Sequence, residues 1–472
     1  MHIFIFNRAL RLHDNTTLIH MAKLNLPIVP IFIFTEQVNK RKNAYFSNNA
    51  VEFMIESLQE LADDIHKLKG KLYFFHCDDI IKALAAIHKQ SAILSIGTNY
   101  DYTPYARDRQ AKFAEFCTKH NITFYMQEDH CLYNILDGQT LKADHSPYTV
   151  FTPFKNNALK LPIRAVDPYK GFTFKTVACL EANKYYLAAA KINQFYEPNN
   201  NSETPGGRAA GLKILQNIEQ FADYGTQRDY FLYPTTRLAA HNHFGTVSIR
   251  EVYHKIHDVL KKRSAALINE LIWRDFYYQL YYYFPHMLAG QIGGKNQAFR
   301  PKFNHIKWCG TPAIFKAWCE GRTGIPLCDA AMRQLNQTGF MPNRLRMICA
   351  GVLTKIFLIT WKQGEQYFAQ KLKDYDAVQN SAGWAWTITG IDPQQVFRIF
   401  SPKIQSKKFD SECKYILKYV PELADVPHND IHNWDEKHAK HTAVKYPAPV
   451  VNYHSAYKRA LAELARVHKL KK

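Results

Sequence analysis

Five short apolar runs mark the first 130 residues: Ile3–Phe6, Ile28–Phe34, Leu72–Phe75, Ala92–Ile96 and Ile122–Tyr125. Each is nearly apolar throughout rather than alternating, the pattern of a strand covered on both faces. Between them, Asn48–Leu68 and Tyr105–Lys119 repeat apolar positions at helical spacing. This alternation predicts an α/β domain over residues 1–130, a Rossmann-like parallel sheet covered by helices. His13-Asp14-Asn15 predicts a turn and a helix start. No GxGxxG follows the first strand, so a dinucleotide site there is not supported.

The pattern then changes. Residues 131–206 are mixed and read as a connector, with a loop by composition from Glu197 to Gly207. Gly206-Gly207-Arg208-Ala209-Ala210-Gly211 is glycine-rich, but helical spacing follows, so it predicts a helix start rather than a phosphate cradle. Helical periodicity covers 208–222, 248–262, 265–284, 312–319, 327–337, 343–360 and 364–371. Residues 207–472 therefore form a larger all-α domain.

Composition narrows the classes. At 47% hydrophobic residues the chain has ample material for cores, which excludes a disordered protein. Its nine cysteines lie scattered without a CxxC pair, which excludes a disulfide-stapled domain. The most apolar stretch, Met347–Trp361, is broken by Lys355 and falls short of the roughly 20 residues of a membrane span. His2, Arg8 and Arg11 interrupt the N-terminus and no cleavage-type segment follows, so a cytoplasmic location is expected. Lys and Arg exceed Asp and Glu by 61 to 41, a formal net charge of +20. That excess suits a polyanionic partner such as nucleic acid; a generally basic, solvated surface is the alternative.

Four clusters could carry chemistry. Glu270, Trp273, Arg274 and Tyr277 share one helical face, a stripe of carboxylate, indole and guanidinium; an exposed ion-pair face is the plainer reading. Asn343, Arg346 and Met347 sit together with Arg344 beside them, or form an ordinary basic helix start. Asp374, Tyr375 and Asp376 precede Asn380, Trp384 and Trp386, a polar pocket with flat walls suited to a stacked ring, or a loop of turn-forming residues. Tyr224 and the run Thr235-Thr236-Arg237-Leu238-Ala239 could meet a phosphate, although threonine is also a common helix cap. No metal is expected. HExxH is absent, His241-Asn-His243 lacks a second ligand pair, and Cys309, Cys319 and Cys328 are evenly spread.

In this order the clusters resemble the photolyase/cryptochrome flavoprotein family. The likeness opens with Ile5-Phe6-Asn7-Arg8-Ala9-Leu10-Arg11-Leu12-His13-Asp14-Asn15 and continues through Asp101–Arg107 and Val150–Lys155. Its most specific parts are Asn269–Tyr277, Asp329–Leu335, Asn343–Met347, Gly383-Trp-Ala-Trp386 and Phe397–Phe400. Asn343-Arg-Leu-Arg-Met347 and the Trp384/Trp386 pair are similar to the class I branch acting on cyclobutane pyrimidine dimers. Relatives that repair (6-4) photoproducts usually carry histidines near these positions. A cryptochrome-type photoreceptor and a (6-4) photolyase are the alternatives.

The resemblance implies reduced, noncovalent FAD in the helical domain. Tyr224, Thr235, Thr236, Arg237, Leu238 and Ala239 would meet its phosphate end. Asp374, Tyr375 and Asp376 would lie beside the flavin and ribityl chain, Arg346 would pair with Asp374, and Asn380 would face N5. UV-damaged DNA would be the partner of a monomer, its dimer flipped into the pocket as photolyases in general do. Trp273 and Trp386 would wall the dimer, Glu270 and Asn343 would bond its edges, Arg274 and Tyr277 would share that face, and Met347 would pack against it. Arg344, Gln405 and Arg398 would contact the strand. Light would drive an electron from the reduced flavin to the dimer and back, and Trp384, Trp361 and Trp308 would relay electrons to oxidised flavin.

Three departures stand out. Pro342 replaces a usual His, and Ala239 a usual Ser. The segment Asp101–Arg107 lacks the Asn-Glu pair of folate-binding relatives, which leaves open the identity of any second, antenna chromophore in the N-terminal domain.

Overall fold

The computed structural model describes residues 1–288, 295, 297–391 and 396–470. Its sheet contains five parallel strands, β1 (His2–Phe6), β2 (Ile28–Phe34), β3 (Tyr73–His76), β4 (Ser95–Tyr100) and β5 (Thr123–Glu128). A sixth, β6 (Tyr186–Leu187), pairs antiparallel with β3, giving the order β5-β4-β1-β2-β3-β6. The apolar runs thus become strands as expected. β4 and β5 extend further toward their C-terminal ends than the apolar residues alone indicate, and β6 comes from the mixed stretch read as connector.

Helices α1 (Thr16–Lys23), α2 (Asn48–Lys67), α3 (Ile80–Gln90) and α4 (Pro104–Lys119) cover both faces of the sheet. Successive residues of β1 point to opposite sides. Phe4 and Phe6 pack with Leu18, Phe53 and Leu58 on one face, while Ile3 and Ile5 pack with Leu84 and Phe113 on the other. Asn15 stands at the start of α1, its side chain donating to the carbonyls of Ala9 and Arg11, and Gly207, at φ 91°, precedes the helix predicted after it.

The rest is helical. In chain order come α5 (Phe151–Ala158), α6 (Arg208–Gln216), α7 (Tyr224–Gln227), α8 (Ala239–Phe244), α9 (Ile249–Leu260), α10 (Ala265–Tyr283), α11 (Pro312–Glu320), α12 (Pro326–Thr338), α13 (Asn343–Gly351), α14 (Trp361–Lys371), α15 (Ala377–Ile388) and α16 (Pro402–Phe409). The single helix expected over 343–360 is corrected. α13 stops at Gly351, a π-turn follows over Val352–Ile356, and Leu358 has φ 48°. The carbonyl of Leu358 then accepts from the N–H groups of Cys309 and Gly310, which pins the Trp308 segment just ahead of Trp361. Among the described residues no helix is long and apolar enough to cross a membrane.

Buried charge joins the sheet to the helices. Arg11 and Arg250 both pair with Asp129, at 2.7 and 2.8 Å, and Arg250 also reaches Asp14 at 2.7 Å. Burial alone would raise the Asp129 carboxyl, but the two guanidinium groups and Thr16 outweigh it and hold it well below the usual carboxylate range. A depressed folded pKa contributes stability above the unfolded value of about 4 and loses it as pH falls. Urea titrations should therefore show wild-type stability falling from about pH 5 downward, and a shallower fall in Asp129→Asn. Equal slopes would remove Asp129 from the acid response.

Candidate functional site

The site grows from three helices and one turn. The N-terminal part of α2 clamps the turn: Ser47 donates to the carbonyl of Leu372 at 2.9 Å and Asn49 to that of Lys371 at 2.6 Å. Lys373, buried, donates to Glu52 at 3.0 Å. The turn places Asp374 against Arg346 of α13, whose Nη2 donates to both carboxylate oxygens at 3.1 and 2.9 Å, while its Nε donates to the carbonyl of Met341. The expected Arg346–Asp374 pair is thus present.

Asp376 departs from expectation. It is buried and caps α15, its Oδ1 accepting from the N–H groups of Val378 and Gln379. Oδ2 accepts from the Tyr278 hydroxyl and from His243 Nδ1 at 2.9 Å, with Arg8 at 3.6 Å. Both oxygens are committed to the protein, so Asp376 is an anchor between the sheet domain and α15. Burial alone would raise this carboxyl; the hydrogen bond from His243 and the charge of Arg8 outweigh it and keep it ionised. His243 itself is pushed below its usual range by burial and by Arg8.

α15 was the plainer loop reading of its cluster, and it is a helix. Asn380, Gly383 and Trp386 follow one another at helical spacing. A Cβ built on Gly383 meets nothing within 4 Å, and the same holds for Gly351, which lies one helical repeat beyond Met347 on α13. Asn343 donates toward the Met347 sulfur, 3.7 Å away. Asn380 is fixed from behind: its Nδ2 donates to the carbonyl oxygen and to Oε1 of Glu365, both at 2.9 Å.

On α10 the predicted stripe divides. Glu270, Trp273 and Tyr277 are partly exposed, and Trp273 and Trp386 border the same apolar cluster. Arg274 is the correction: it is buried, donates to the carbonyl of His130 at 2.9 Å and lies against Asp275. Spacing alone could not separate it from its neighbours, because it sits at the edge of the stripe that faces the sheet domain. Trp273 also has one face covered, by Phe151 of α5, with ring centroids 3.5 Å apart and planes 6° from parallel. Glu270 pairs with Arg228 at 2.5 Å. Burial raises its carboxyl pKa, partly offset by that guanidinium.

The DNA-side group assembles in part. Arg344 donates to Gln405 of α16 at 2.9 Å, pairs with Asp229, and lies over Phe409. Arg398 is exposed, and its carbonyl accepts from Lys355 at 2.6 Å. Thr235, Thr236 and Arg237 precede α8 and are partly exposed, Leu238 is buried, and Ala239 is exposed at the first position of that helix. Arg237 pairs with Glu203 and lies 4.3 Å over Phe340. Tyr224 opens α7 with Arg228 over its ring, and Tyr375 packs 6.4 Å from Tyr45.

Trp384 and Trp361 share one core, with half-buried Trp308 packed against it. A Cβ on Gly364 would lie 2.2 Å from the Trp384 ring, so α14 and this indole touch closely. The reading missed Trp318, a buried indole whose ring centroid is 6.1 Å from that of Trp384. It also missed Arg228, Phe151 and Glu365. A basic residue one turn from Tyr224 was visible in the sequence; nothing there marks a glutamate as buried.

These groups fit a flavin dinucleotide. Hydroxyls and a guanidinium gather at Thr235–Arg237, an oriented amide stands at Asn380, and glycines leave room beside both helices. Among the described residues no cluster of metal ligands occurs.

Comparison with known proteins extends the picture. Residues 2–170 match the family described as DNA photolyase, and residues 267–466 match the FAD binding domain of DNA photolyase. The chain is similar to deoxyribodipyrimidine photo-lyases of Halobacterium salinarum (30% identity, 99% of each chain) and Escherichia coli (31% identity, 98% of each). Its structure is similar to a photolyase from Sulfolobus tokodaii solved with two FAD molecules. The TM-score is 0.84 at 33% identity, over 98% of this chain and 99% of that one.

Proposed function

This chain belongs to the DNA photolyase family, and from that premise we propose that it is a light-driven lyase that splits cyclobutane pyrimidine dimers in DNA. The supporting observation is one helical layer that holds the Arg346–Asp374 pair, the oriented Asn380 amide and the Trp273/Trp386 indoles together. In this reading residues 207–472 bind FAD and DNA, and 1–130 is the antenna domain. When bound in reduced form and excited by blue light, FAD supplies the electron that opens the cyclobutane ring.

The protein's own part is positioning. Trp386 and the free face of Trp273 stack the pyrimidines, since a flat indole receives a base without sequence preference. Asn343 and Glu270 bond the base edges. Burial raises the Glu270 carboxyl against the pull of Arg228, and in its protonated form this group can donate to a pyrimidine carbonyl, which an ionised one cannot. Arg344 and Gln405 hold the strand, and Met347 fills the floor. Trp273 stays upright because Phe151 backs it. A second chromophore would serve as antenna in 1–130, a reading supported by the two FAD molecules named for the Sulfolobus protein.

Glu270→Ala should lower the yield of repair per absorbed photon by about tenfold while FAD content stays within about twofold of wild type. Glu270→Gln, which keeps a donor, should retain most of the yield. Normal yield in Glu270→Ala would take this carboxyl out of the substrate site.

A further inference from the structure

Glu365 lies on α14, one turn beyond Trp361, and is 1% exposed. Its backbone carbonyl and its Oε1 both accept from Asn380 Nδ2 at 2.9 Å. That contact decides the orientation of the Asn380 amide. A backbone carbonyl can only accept, so the amide nitrogen must face Glu365 and Oδ1 must point the other way. The second carboxylate oxygen, Oε2, is buried without a partner.

The surroundings of this carboxyl are neutral. Tyr45, from the loop after β2, directs its hydroxyl at it. Tyr375 from the turn before α15 and Tyr281 from α10 stand close enough to feel its charge. Among the described residues no lysine, arginine or histidine acts on it. A lone ionised carboxylate in such a place is costly, and the usual outcome is that the group keeps its proton. Burial moves this carboxyl up to about 7, with Tyr45 and Asn380 pulling the other way.

A flavin carries hydrogen at N5 when reduced and none when oxidised. An amide oxygen facing N5 can accept a hydrogen bond from the reduced ring, but against the oxidised ring it opposes a second acceptor. We infer that Glu365, whose carboxyl adds a second acceptor beside its own backbone carbonyl, is the positioning residue that holds the Asn380 carbonyl oxygen toward the cofactor and so favours its reduced state. The inference rests on the flavin site proposed above. It adds a contribution from the sheet domain, because Tyr45 helps hold the acid in place. Glu365 touches neither cofactor nor DNA in this account; it acts through Asn380.

The test uses the full, FAD-loaded chain as wild type, Glu365→Gln and Glu365→Leu. After chemical reduction, the rate of dark re-oxidation in air is followed by flavin absorbance, and the midpoint potential by dye equilibration between pH 6 and 8.5. Glutamine mimics the protonated acid and keeps the acceptor for Asn380, so Glu365→Gln should stay within about twofold of wild type. Glu365→Leu removes the side-chain acceptor and should re-oxidise about tenfold faster, with a lower potential, a tenfold change being about 1.4 kcal/mol.

A folded Glu365→Leu with wild-type FAD content, potential and re-oxidation rate would overturn the inference. So would a Glu365→Gln that falls as far as Glu365→Leu, since charge rather than orientation would then be at work. Should Glu365→Leu fail to hold FAD, infrared difference spectra decide: wild type should show a protonated-carboxyl band that responds to flavin reduction and is absent in Glu365→Gln. No such band in wild type overturns the neutral acid. Wild type that binds no FAD would overturn the site itself. Normal flavin behaviour without dimer repair would overturn only the proposed reaction.

Discussion

Asp376→Ala should destabilise the protein by about 3–5 kcal/mol, the loss typical when one partner of a buried charge network is removed. Two effects combine. The helix cap of α15 disappears, at about 1 kcal/mol, and Tyr278, His243 and Arg8 lose a shared buried acceptor. Arg8 keeps Asp101 at 3.0 Å, which limits the damage. Asp376→Asn retains a capping oxygen but puts an NH2 donor where Oδ2 accepts from Tyr278 and His243, so it should fall between alanine and wild type. Because Asp376 anchors the turn that carries Asp374 and the start of the helix that carries Asn380, FAD should be lost at lower temperature in the same order. Unfolding followed by circular dichroism alongside flavin fluorescence measures both. An Asp376→Ala protein as stable as wild type would mean the network stabilises nothing.

Trp384→Phe should slow photoreduction of oxidised FAD by at least about tenfold, since phenyl cannot replace indole as an electron donor. Trp384 lies one helical turn beyond Asn380 and is buried against Gly364 of α14. Trp318 lies 6.1 Å from it, centroid to centroid, and Trp361 belongs to the same core. Trp318→Phe should have the smaller effect, since Trp361 and Trp308 remain packed in and against the same core. Repair by chemically reduced protein should survive in both variants, because the relay serves only to reduce the cofactor. Unchanged photoreduction in Trp384→Phe, with FAD bound, would show that electrons arrive by another route.

The sheet was legible because its central strands β1 and β2 are buried on both faces and so appear as nearly uninterrupted apolar runs. β6 was not: a two-residue edge strand has no period to detect. The break after α13 was hidden for a related reason. Val352–Ile356 is buried throughout, Thr354 and Lys355 included, and a wide turn there leaves the composition of a helix intact. α15 was obscured by its contents. Ala377-Val-Gln-Asn-Ser-Ala-Gly-Trp-Ala-Trp-Thr-Ile388 mixes weak helix formers, and tertiary contacts together with the Asp376 cap override propensity there.

For the site, periodicity grouped Glu270, Trp273 and Tyr277 correctly but could not show that Arg274 turns inward, because inside and outside differ only by what packs there. The pairing of Arg346 with Asp374 depended on the resemblance, since 28 residues separate them. Glu365 was invisible, as a glutamate on an apparently solvated helix normally signals water rather than a buried acid.

The central claim meets its most direct measurement in an oligonucleotide carrying one cyclobutane pyrimidine dimer, mixed anaerobically with FAD-loaded, chemically reduced protein and divided between blue light and darkness. The account predicts loss of dimers in light and none in darkness. Dimers that persist in light, with reduced FAD bound and the DNA retained, would contradict it.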